Sequence, residues 1–190
     1  MNPAPVDLDR WLADPVVCTH HRRDAAATPA ALWRAASSLR LEETRTLGRL
    51  VRWRIPDLAE GLTFRELFRG YPFVVLDEGE RWSLSGLAGR IWTLDRDYAS
   101  LDGPSDFRRW DEPGTVRVLF AHWVVPAGNG GAALHSEARV EPVDRGARVR
   151  LRGLWTLVGV FERLIGAEPL SLAARRAERR PTGAASPVSR

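Results

Sequence analysis

Two long stretches of strand-like composition, joined by a short glycine-rich connection, constrain the fold of this chain more than any other feature. They cover residues 115–126 and 132–142 and are separated by Gly128-Asn129-Gly130-Gly131. A connection of this composition between two apolar runs predicts an antiparallel hairpin. The apolar face of such a hairpin must be covered by another element.

The segment after the hairpin can supply that cover. Asp144 is a suitable N-cap, and apolar residues follow it at helical spacing. They are Leu151, Leu154, Trp155, Val158 and Ile165. We therefore expect a long amphipathic helix over residues 144–179, kinked near Gly166 and Pro169.

The remainder of the chain predicts a first strand, two or three short helices, and then short strands. The expected strands cover 16–27, 73–76, 81–87 and 90–94, and the expected helices cover 28–39, 42–53 and 63–70. A long loop over 95–114 with one helical turn follows them. Antiparallel strands next to segregated helices indicate the α+β class.

The length of 190 residues fits one domain, since domains typically have ~100–200 residues. We expect an N-terminal arm at 1–15, a single domain at 16–179 and a flexible tail at 180–190. The segment from Arg175 onward has five arginines and one glutamate, which accounts for the whole net charge of +4. Because the rest of the chain is neutral and has no basic stripe interleaved with aromatic residues, we expect no nucleic-acid partner.

Other classes are excluded by simple counts. No apolar run approaches the ~20 residues that span a bilayer, so no integral membrane association is expected. The start of the chain has no basic segment before an apolar one, which favours a cytoplasmic location. The single cysteine, Cys18, can form neither an internal disulfide nor a cysteine-based zinc site. His20 and His21 point to opposite faces of a strand, so neither a metal nor a cofactor is predicted.

Four segments occur in an order that resembles a known family. They are Gly70-Tyr71-Pro72-Phe73-Val74-Val75-Leu76, Gly86-Leu87-Ala88-Gly89-Arg90-Ile91-Trp92, Phe107 through Glu112-Pro113-Gly114, and Ser136-Glu137-Ala138-Arg139-Val140 leading into Asp144 and Trp155. Their order and spacing resemble an uncharacterised bacterial branch of the SRPBCC superfamily, the START-like or helix-grip proteins, over residues 16–178. The resemblance implies a curved antiparallel sheet wrapped around the C-terminal helix, with an apolar, ligand-binding cavity between them. It implies no particular reaction, because the superfamily contains both carriers and enzymes.

His122 is the most informative candidate residue. Alternation puts Phe120, His122 and Val124 on one apolar face, which should be the inner one. His122 would then face the cavity, at a position where the resemblance leads us to expect an apolar residue. A histidine can give or accept a proton near neutral pH and could be catalytic. A structural histidine satisfied by a neighbouring group remains the alternative.

Glu137 and Arg139 are two residues apart on the next strand, so they share a face. If that face is exposed, they form a surface ion pair worth less than ~1 kcal/mol. If it lines the cavity, Glu137 could deprotonate or orient a ligand and Arg139 could hold a carboxylate or phenolate. The sequence leaves both interpretations open.

Large aromatic residues are candidate ligand contacts alongside Phe120, His122 and Val124. They are Trp92, Phe107, Trp110 and Trp155, of which Phe107 and Trp110 could gate the cavity from the long loop. In the alternative interpretation, Trp92, Trp110 and Trp155 are core residues, together with Trp123. The sequence thus predicts a protein that binds a hydrophobic or aromatic small molecule. The alternative is a cofactor-independent cyclase, aromatase or dehydratase that acts on a polyketide-like or aromatic substrate in the same cavity.

Overall fold

The computed structural model of the protein describes residues 5–54, 59–93 and 97–179, without the side chains of residues 54, 129 and 156–165. Its strands are β1 (Val17–Ala25), β2 (Val74–Gly79), β3 (Trp82–Gly89), β4 (Val116–Pro126) and β5 (Ala132–Pro142). Its helices are α1 (Pro29–Ser37), α2 (Thr46–Arg54), α3 (Phe64–Leu67), α4 (Pro104–Arg109) and α5 (Arg145–Arg179). The tail expected at 180–190 lies outside the described residues.

The strands form one antiparallel sheet in the order β1-β5-β4-β3-β2. The predicted hairpin is confirmed: β4 pairs with β5 from Val116↔Pro142 to Pro126↔Ala132. α5 packs against β1, β5 and α1 on one face of the sheet. The fold is therefore α+β with the helix-grip arrangement, as expected.

Side-chain caps fix the starts of the helices where the sequence predicts them. The hydroxyl of Thr28 accepts a hydrogen bond from the amide of Ala31 (3.3 Å) and begins α1. The carboxylate of Asp144 accepts from the amide of Ala147 (2.7 Å) at the start of α5 and from the amide of Gly114 (2.5 Å) before β4. These hydrogen bonds lower the pKa of Asp144. Asp144 therefore joins the helix to the sheet at this end.

Two predicted elements differ from the structure. The helix expected over 42–53 is divided into a 3₁₀ turn at Leu41–Glu43 and α2. The described part of the strand expected over 90–94 is a turn, because the chain leaves the sheet at Gly89. Gly89 has φ = +144°, and a Cβ there would lie 2.1 Å from the carbonyl oxygen of Asp97. Glycine is required at such a position.

The N-terminal segment covers the outer face of the sheet, opposite α5. Leu8, Trp11 and Leu12 are buried there. Their cluster also includes Leu76, Leu84, Phe107, Leu119, Ala121 and Trp123. Both faces of the sheet are therefore covered, one by residues 8–12 and α4, the other by α1 and α5. In the described part of the chain, no helix is long and apolar enough to cross a bilayer.

Candidate functional site

A cavity of about 580 Å³ lies between the inner face of the sheet and the helices α1, α3 and α5. Its walls are mostly apolar, and all five strands contribute to them. The volume lies within the range of known small-molecule sites. The side chains that project from the sheet into this space decide what it can bind.

The inner face has a polar row that crosses four strands. Register aligns His21 of β1 with Ser136 of β5, Ser136 with His122 of β4, and His122 with Ser83 of β3. All four side chains line the cavity. Four hydrogen-bonding side chains therefore lie in one line across a mostly apolar wall.

On one side of this polar row, the next two rows of the inner face become progressively more apolar. The next row consists of Thr19, Ala138, Phe120 and Ser85, and the row beyond it of Val17, Val140, Val118 and Leu87. On the other side of the polar row, Val124 and Leu134 are buried against Leu32 of α1 and Leu170 of α5. Leu134 and Leu170 also line the cavity, so the polar row has apolar residues on both sides.

A cluster of aromatic side chains packs against this wall of the cavity. Phe68, at the C-cap of α3, has its ring centroid 4.8 Å from that of His122 and 5.3 Å from that of Phe120. Phe73 contacts both phenyl rings, at 5.0 Å from Phe68 and 5.7 Å from Phe120. Flat rings of this kind offer stacking and edge contacts to an aromatic ligand.

Burial determines the charge state of His122. Its surroundings are phenyl rings and the apolar cavity, and this desolvation lowers its pKa to about 4. In the part of the chain that the structure describes, its ring nitrogens form no hydrogen bond with protein. At neutral pH the imidazole is therefore uncharged, with one nitrogen that can donate and one that can accept.

His21 is held at the other end of the row by close packing against α5. A Cβ built on Gly166 would lie 2.3 Å from Nε2 of His21. The backbone of α5 at Gly166 therefore lies directly against the imidazole of His21. Trp155 and Pro169 of the same helix also line the cavity.

Charged residues surround one opening of the cavity. Arg65 and Arg69, on and just after α3, and Glu78 and Glu80, at the end of β2, line it and are exposed to solvent. Glu78 forms ion pairs with Arg69 and, at 3.9 Å, with Arg65. These pairs connect α3 to the sheet across the opening.

The predicted ligand contacts are divided between the cavity and the core. Phe120, His122 and Trp155 line the cavity. Val124 lies on the same face of β4 but is covered by α1 and α5. Trp92 packs in the apolar cluster around Leu87 and Leu151 and does not line the cavity.

Phe107 and Trp110 require a correction, because they do not line the cavity. Phe107 is fully buried on the outer face, where its ring lies 6.4 Å from that of Trp11. Trp110 donates a hydrogen bond from Nε1 to the hydroxyl of Thr115 (2.9 Å). The part of the long loop around α4 packs on the outer face, whereas Tyr98, earlier in the same loop, lines the cavity.

Glu137 and Arg139 also lie on the outer face, away from both the cavity and bulk water. Nε of Arg139 donates to Glu137 at 2.6 Å, and Arg139 also pairs with Asp9 and donates to the carbonyl of Leu12 (3.4 Å). Burial lowers the pKa of Arg139, but the hydrogen bonds and ion pairs with Asp9 and Glu137 outweigh it and raise that pKa above its usual value. Their role in this structure is to hold the N-terminal segment on the sheet.

The cavity residues that the sequence reasoning missed include His21, Ser83, Ser136 and Phe68. His21 shares a face with Val17 and Thr19, so alternation along β1 could have identified it. Ser83 and Ser136 become informative only once the strand register aligns them with the histidines. Among the described residues, no group of three histidine, cysteine or acidic side chains could hold a metal ion.

Comparisons with known proteins give no family assignment. No family model matches the chain, and neither does any curated protein. Similar solved structures include protein MLL2253 from Mesorhizobium loti, at 12% identity over 87% of this chain and 100% of that one, with a TM-score of 0.37. TTHA0849 from Thermus thermophilus has 11% identity over the same shares and a TM-score of 0.34. Norcoclaurine synthase from Thalictrum flavum has 12% identity over 94% of each chain and a TM-score of 0.30. These similarities are too weak to indicate the function of the chain. The function is therefore inferred from the geometry of the cavity.

Proposed function

We propose that this protein binds a hydrophobic or aromatic small molecule between its sheet and its C-terminal helix. The observation that carries the proposal is the cavity of about 580 Å³, whose mostly apolar wall is crossed by a row of polar side chains. Burying apolar ligand surface supplies about 25 cal/mol per Å², less the cost of association. A few polar groups then fix the orientation of the ligand.

The proposal includes membership of the SRPBCC superfamily and a single domain over 16–179 with an arm at 1–15. Two features support it. The first is the order of the sequence segments from Gly70 to Trp155. The second is the antiparallel sheet closed by one long C-terminal helix.

The test compares two matched variants. Ala138→Phe adds a phenyl ring at a position that lines the cavity, whereas Ala30→Phe adds the same ring on the exposed side of α1. We expect wild type and Ala30→Phe to bind the dye anilinonaphthalene sulfonate with enhanced fluorescence, and Ala138→Phe to bind it at least about tenfold more weakly. Solvent extracts of the purified protein, analysed by mass spectrometry, should contain a stoichiometric small molecule. Equal dye binding by all three proteins and an empty extract would refute the proposal.

A second candidate function is a cofactor-independent cyclase, aromatase or dehydratase for a polyketide-like or aromatic substrate. It is favoured by one observation: His122 is an uncharged imidazole facing the cavity. An uncharged imidazole can accept a proton from an activated carbon or hydroxyl. Glu137 and Arg139 have no part in this proposal, because they face the other side of the sheet.

The variant His122→Phe distinguishes the carrier function from the enzyme function. If the protein is such an enzyme, this variant still binds the aromatic substrate but no longer converts it. Unchanged conversion would exclude His122 as the base. Absence of conversion by the wild type, with tight binding retained, would leave the carrier function.

A further inference from the structure

The helix α2 exposes two large apolar side chains to solvent. Leu50 is 40% exposed and Trp53 is 66% exposed. Because these residues are three apart in the sequence, their side chains lie side by side on one face of the helix. An adjacent pair that includes a tryptophan forms an apolar patch, and exposed patches of this kind mark interaction sites.

The surroundings of this patch are basic. Residues 45–54 contain four arginines and no acidic residue. Arg49 lies beside Trp53 at i, i+4 spacing, and Arg52 lies beside Arg49 at i, i+3 spacing. Both arginines are exposed, and within the part of the chain that the structure describes neither forms an ion pair. The apolar patch therefore has positive charge along its border.

Two contacts determine which side of α2 faces outward. The carboxylate of Glu168 in α5 accepts hydrogen bonds from the amides of residues 45, 46 and 47 (2.6, 3.0 and 3.1 Å) and so caps the start of the helix. A Cβ on Gly48 would lie 2.5 Å from the carbonyl oxygen of Leu41, so this side of α2 packs against the protein. At about 100° per residue, the patch lies on the opposite side of the helix from Gly48. Its exposure is therefore a consequence of how α2 is attached.

Charge decides between the possible occupants of this patch. In a symmetric contact, a second copy of the chain would bring the same arginines against each other. The segment after Arg179 contains Arg180 and Arg190 and no acidic residue, so its charge has the same sign as that of α2. The patch is therefore suited to an anionic occupant from outside the chain.

The apolar residues favour a lipid surface over an acidic protein. Tryptophan prefers the headgroup region of a bilayer, and basic helices with tryptophan and leucine on one face lie in that region. Leu47, on the same helix, lines the cavity. A mostly apolar cavity suits molecules that dissolve in a bilayer, so a lipid surface at α2 would also be next to the ligand-binding space.

On these grounds we infer that α2 docks the protein on membrane surfaces that contain anionic lipids. Trp53 and Leu50 enter the headgroup region, and Arg49 and Arg52 contact lipid phosphates. The helix lies in the plane of the surface and does not cross the bilayer. The inference goes beyond the proposed function, because docking through α2 does not require an occupied cavity.

Co-sedimentation with vesicles tests this inference on the full chain. One set of vesicles consists of phosphatidylcholine alone, and the other of phosphatidylcholine and phosphatidylglycerol in equal parts. Each arginine near an anionic surface strengthens binding by about fivefold. We therefore expect the wild type to bind the mixed vesicles at least roughly tenfold more tightly than the neutral ones at low salt, and to lose this preference at high salt.

Variants locate the binding surface. Trp53→Ala should weaken binding to the mixed vesicles by at least roughly tenfold, because it removes the apolar ring that enters the bilayer. Arg49→Gln should weaken it by about fivefold. The matched controls lie near the start of α5, far from the end that caps α2: Val149→Ala changes an apolar side chain that is 70% exposed, and Arg145→Gln removes an exposed charge. Both controls should bind as the wild type does, and thermal unfolding checks that every variant is folded.

Each outcome supports the inference or overturns it. Weaker vesicle binding by Trp53→Ala and Arg49→Gln, with both controls unchanged, supports it. No binding to the mixed vesicles, or equal weakening in all four variants, overturns it. If the wild type self-associates in sedimentation velocity and Trp53→Ala does not, the patch meets a second copy and the inference is wrong.

Two further measurements separate the remaining alternatives. If poly-glutamate binds the wild type as tightly as the mixed vesicles do, the patch recognises acidic protein and the inference is wrong. Trp53→Ala should still bind anilinonaphthalene sulfonate in the cavity as the wild type does, since Trp53 does not line it. Failure of membrane docking is therefore distinguishable from failure of the proposed function.

Discussion

The imidazole of His21 packs against the backbone of Gly166, so that a methyl group on Gly166 would lie 2.3 Å from Nε2. This contact joins the first strand of the sheet to the last helix of the chain. It also explains why a glycine occurs well inside a long helix, where it lowers helix stability by about 1 kcal/mol relative to alanine.

Gly166→Ala and Gly153→Ala are a matched pair within α5. A Cβ on Gly153 would have no atom within 4 Å, so we expect Gly153→Ala to stabilise the protein by about 0.5–1 kcal/mol. Gly166→Ala should give no such stabilisation, or should destabilise the protein, because His21 must leave its position in the polar row. Denaturant unfolding measures both changes. Equal stabilisation by the two variants would show that the packing of His21 against the helix is not tight.

Stability should fall as the pH is lowered from 7 toward 5. Burial lowers the pKa of His122 and of His135 to about 4 in the folded protein, whereas a histidine in the unfolded chain titrates near 6.5. Below that pH the unfolded chain takes up protons that the folded chain excludes. Each histidine then removes on the order of 1 kcal/mol per pH unit until the pH approaches 4.

The variants His122→Phe and His135→Phe test whether these two histidines cause the pH dependence of stability. Free energies of unfolding at pH 7 and pH 5.5 should differ less in each variant than in the wild type. His135 is fully buried on the outer face, where its ring stacks on Trp123 and its Nδ1 lies 3.0 Å from Nε2 of His20. A pH dependence that is unchanged in both variants would mean that the pKa values of these histidines are the same in the folded and the unfolded state.

The strand pattern was predictable from the sequence because it depends on local properties. Alternation along β4 identified the inner residues Phe120 and His122, and glycines identified the hairpin that follows. Asp144 could be recognised as a cap because its role depends on residues close by in the chain. Such features need no knowledge of the tertiary structure.

The position of the long loop and of Glu137 could not be predicted in the same way. Alternation assigns Glu137 and Arg139 to one face but does not say what covers it, and here the cover is the N-terminal segment. A phenyl ring fits the buried outer face as well as it fits an apolar cavity. The composition of the loop therefore does not show which of these two positions Phe107 occupies. The polar row required the register of four strands, which long-range pairing determines.

Leu12→Ala tests whether the N-terminal segment belongs to the core. Leu12 is fully buried against the outer face, so its truncation should cost about 2–4 kcal/mol of unfolding free energy. Leu50 of α2 is 40% exposed, and Leu50→Ala should change stability by less than about 0.5 kcal/mol. Chemical denaturation of both variants gives the comparison. A small effect at Leu12 would indicate that residues 8–12 leave the sheet easily.

Glu78→Gln should accelerate exchange through the opening of the cavity. Glu78 pairs with Arg65 and Arg69, and these pairs connect α3 to the end of β2 across the opening. Since Glu78 is 40% exposed, losing them should cost less than about 1 kcal/mol of stability. The ion pairs lie at the rim, whereas the apolar wall supplies the affinity. We therefore expect the association and dissociation rates of anilinonaphthalene sulfonate to rise together by several fold in stopped-flow measurements, with Kd nearly unchanged.

Asp24→Asn provides the control for charge, because it removes an exposed ion pair with Arg22 (2.8 Å) on β1. It should leave both rates as in the wild type. High salt screens the pairs of Glu78 and should make the wild type resemble Glu78→Gln. If the rates of Glu78→Gln equal those of the wild type at low salt, ligands enter by another path, and α3 need not move to admit them.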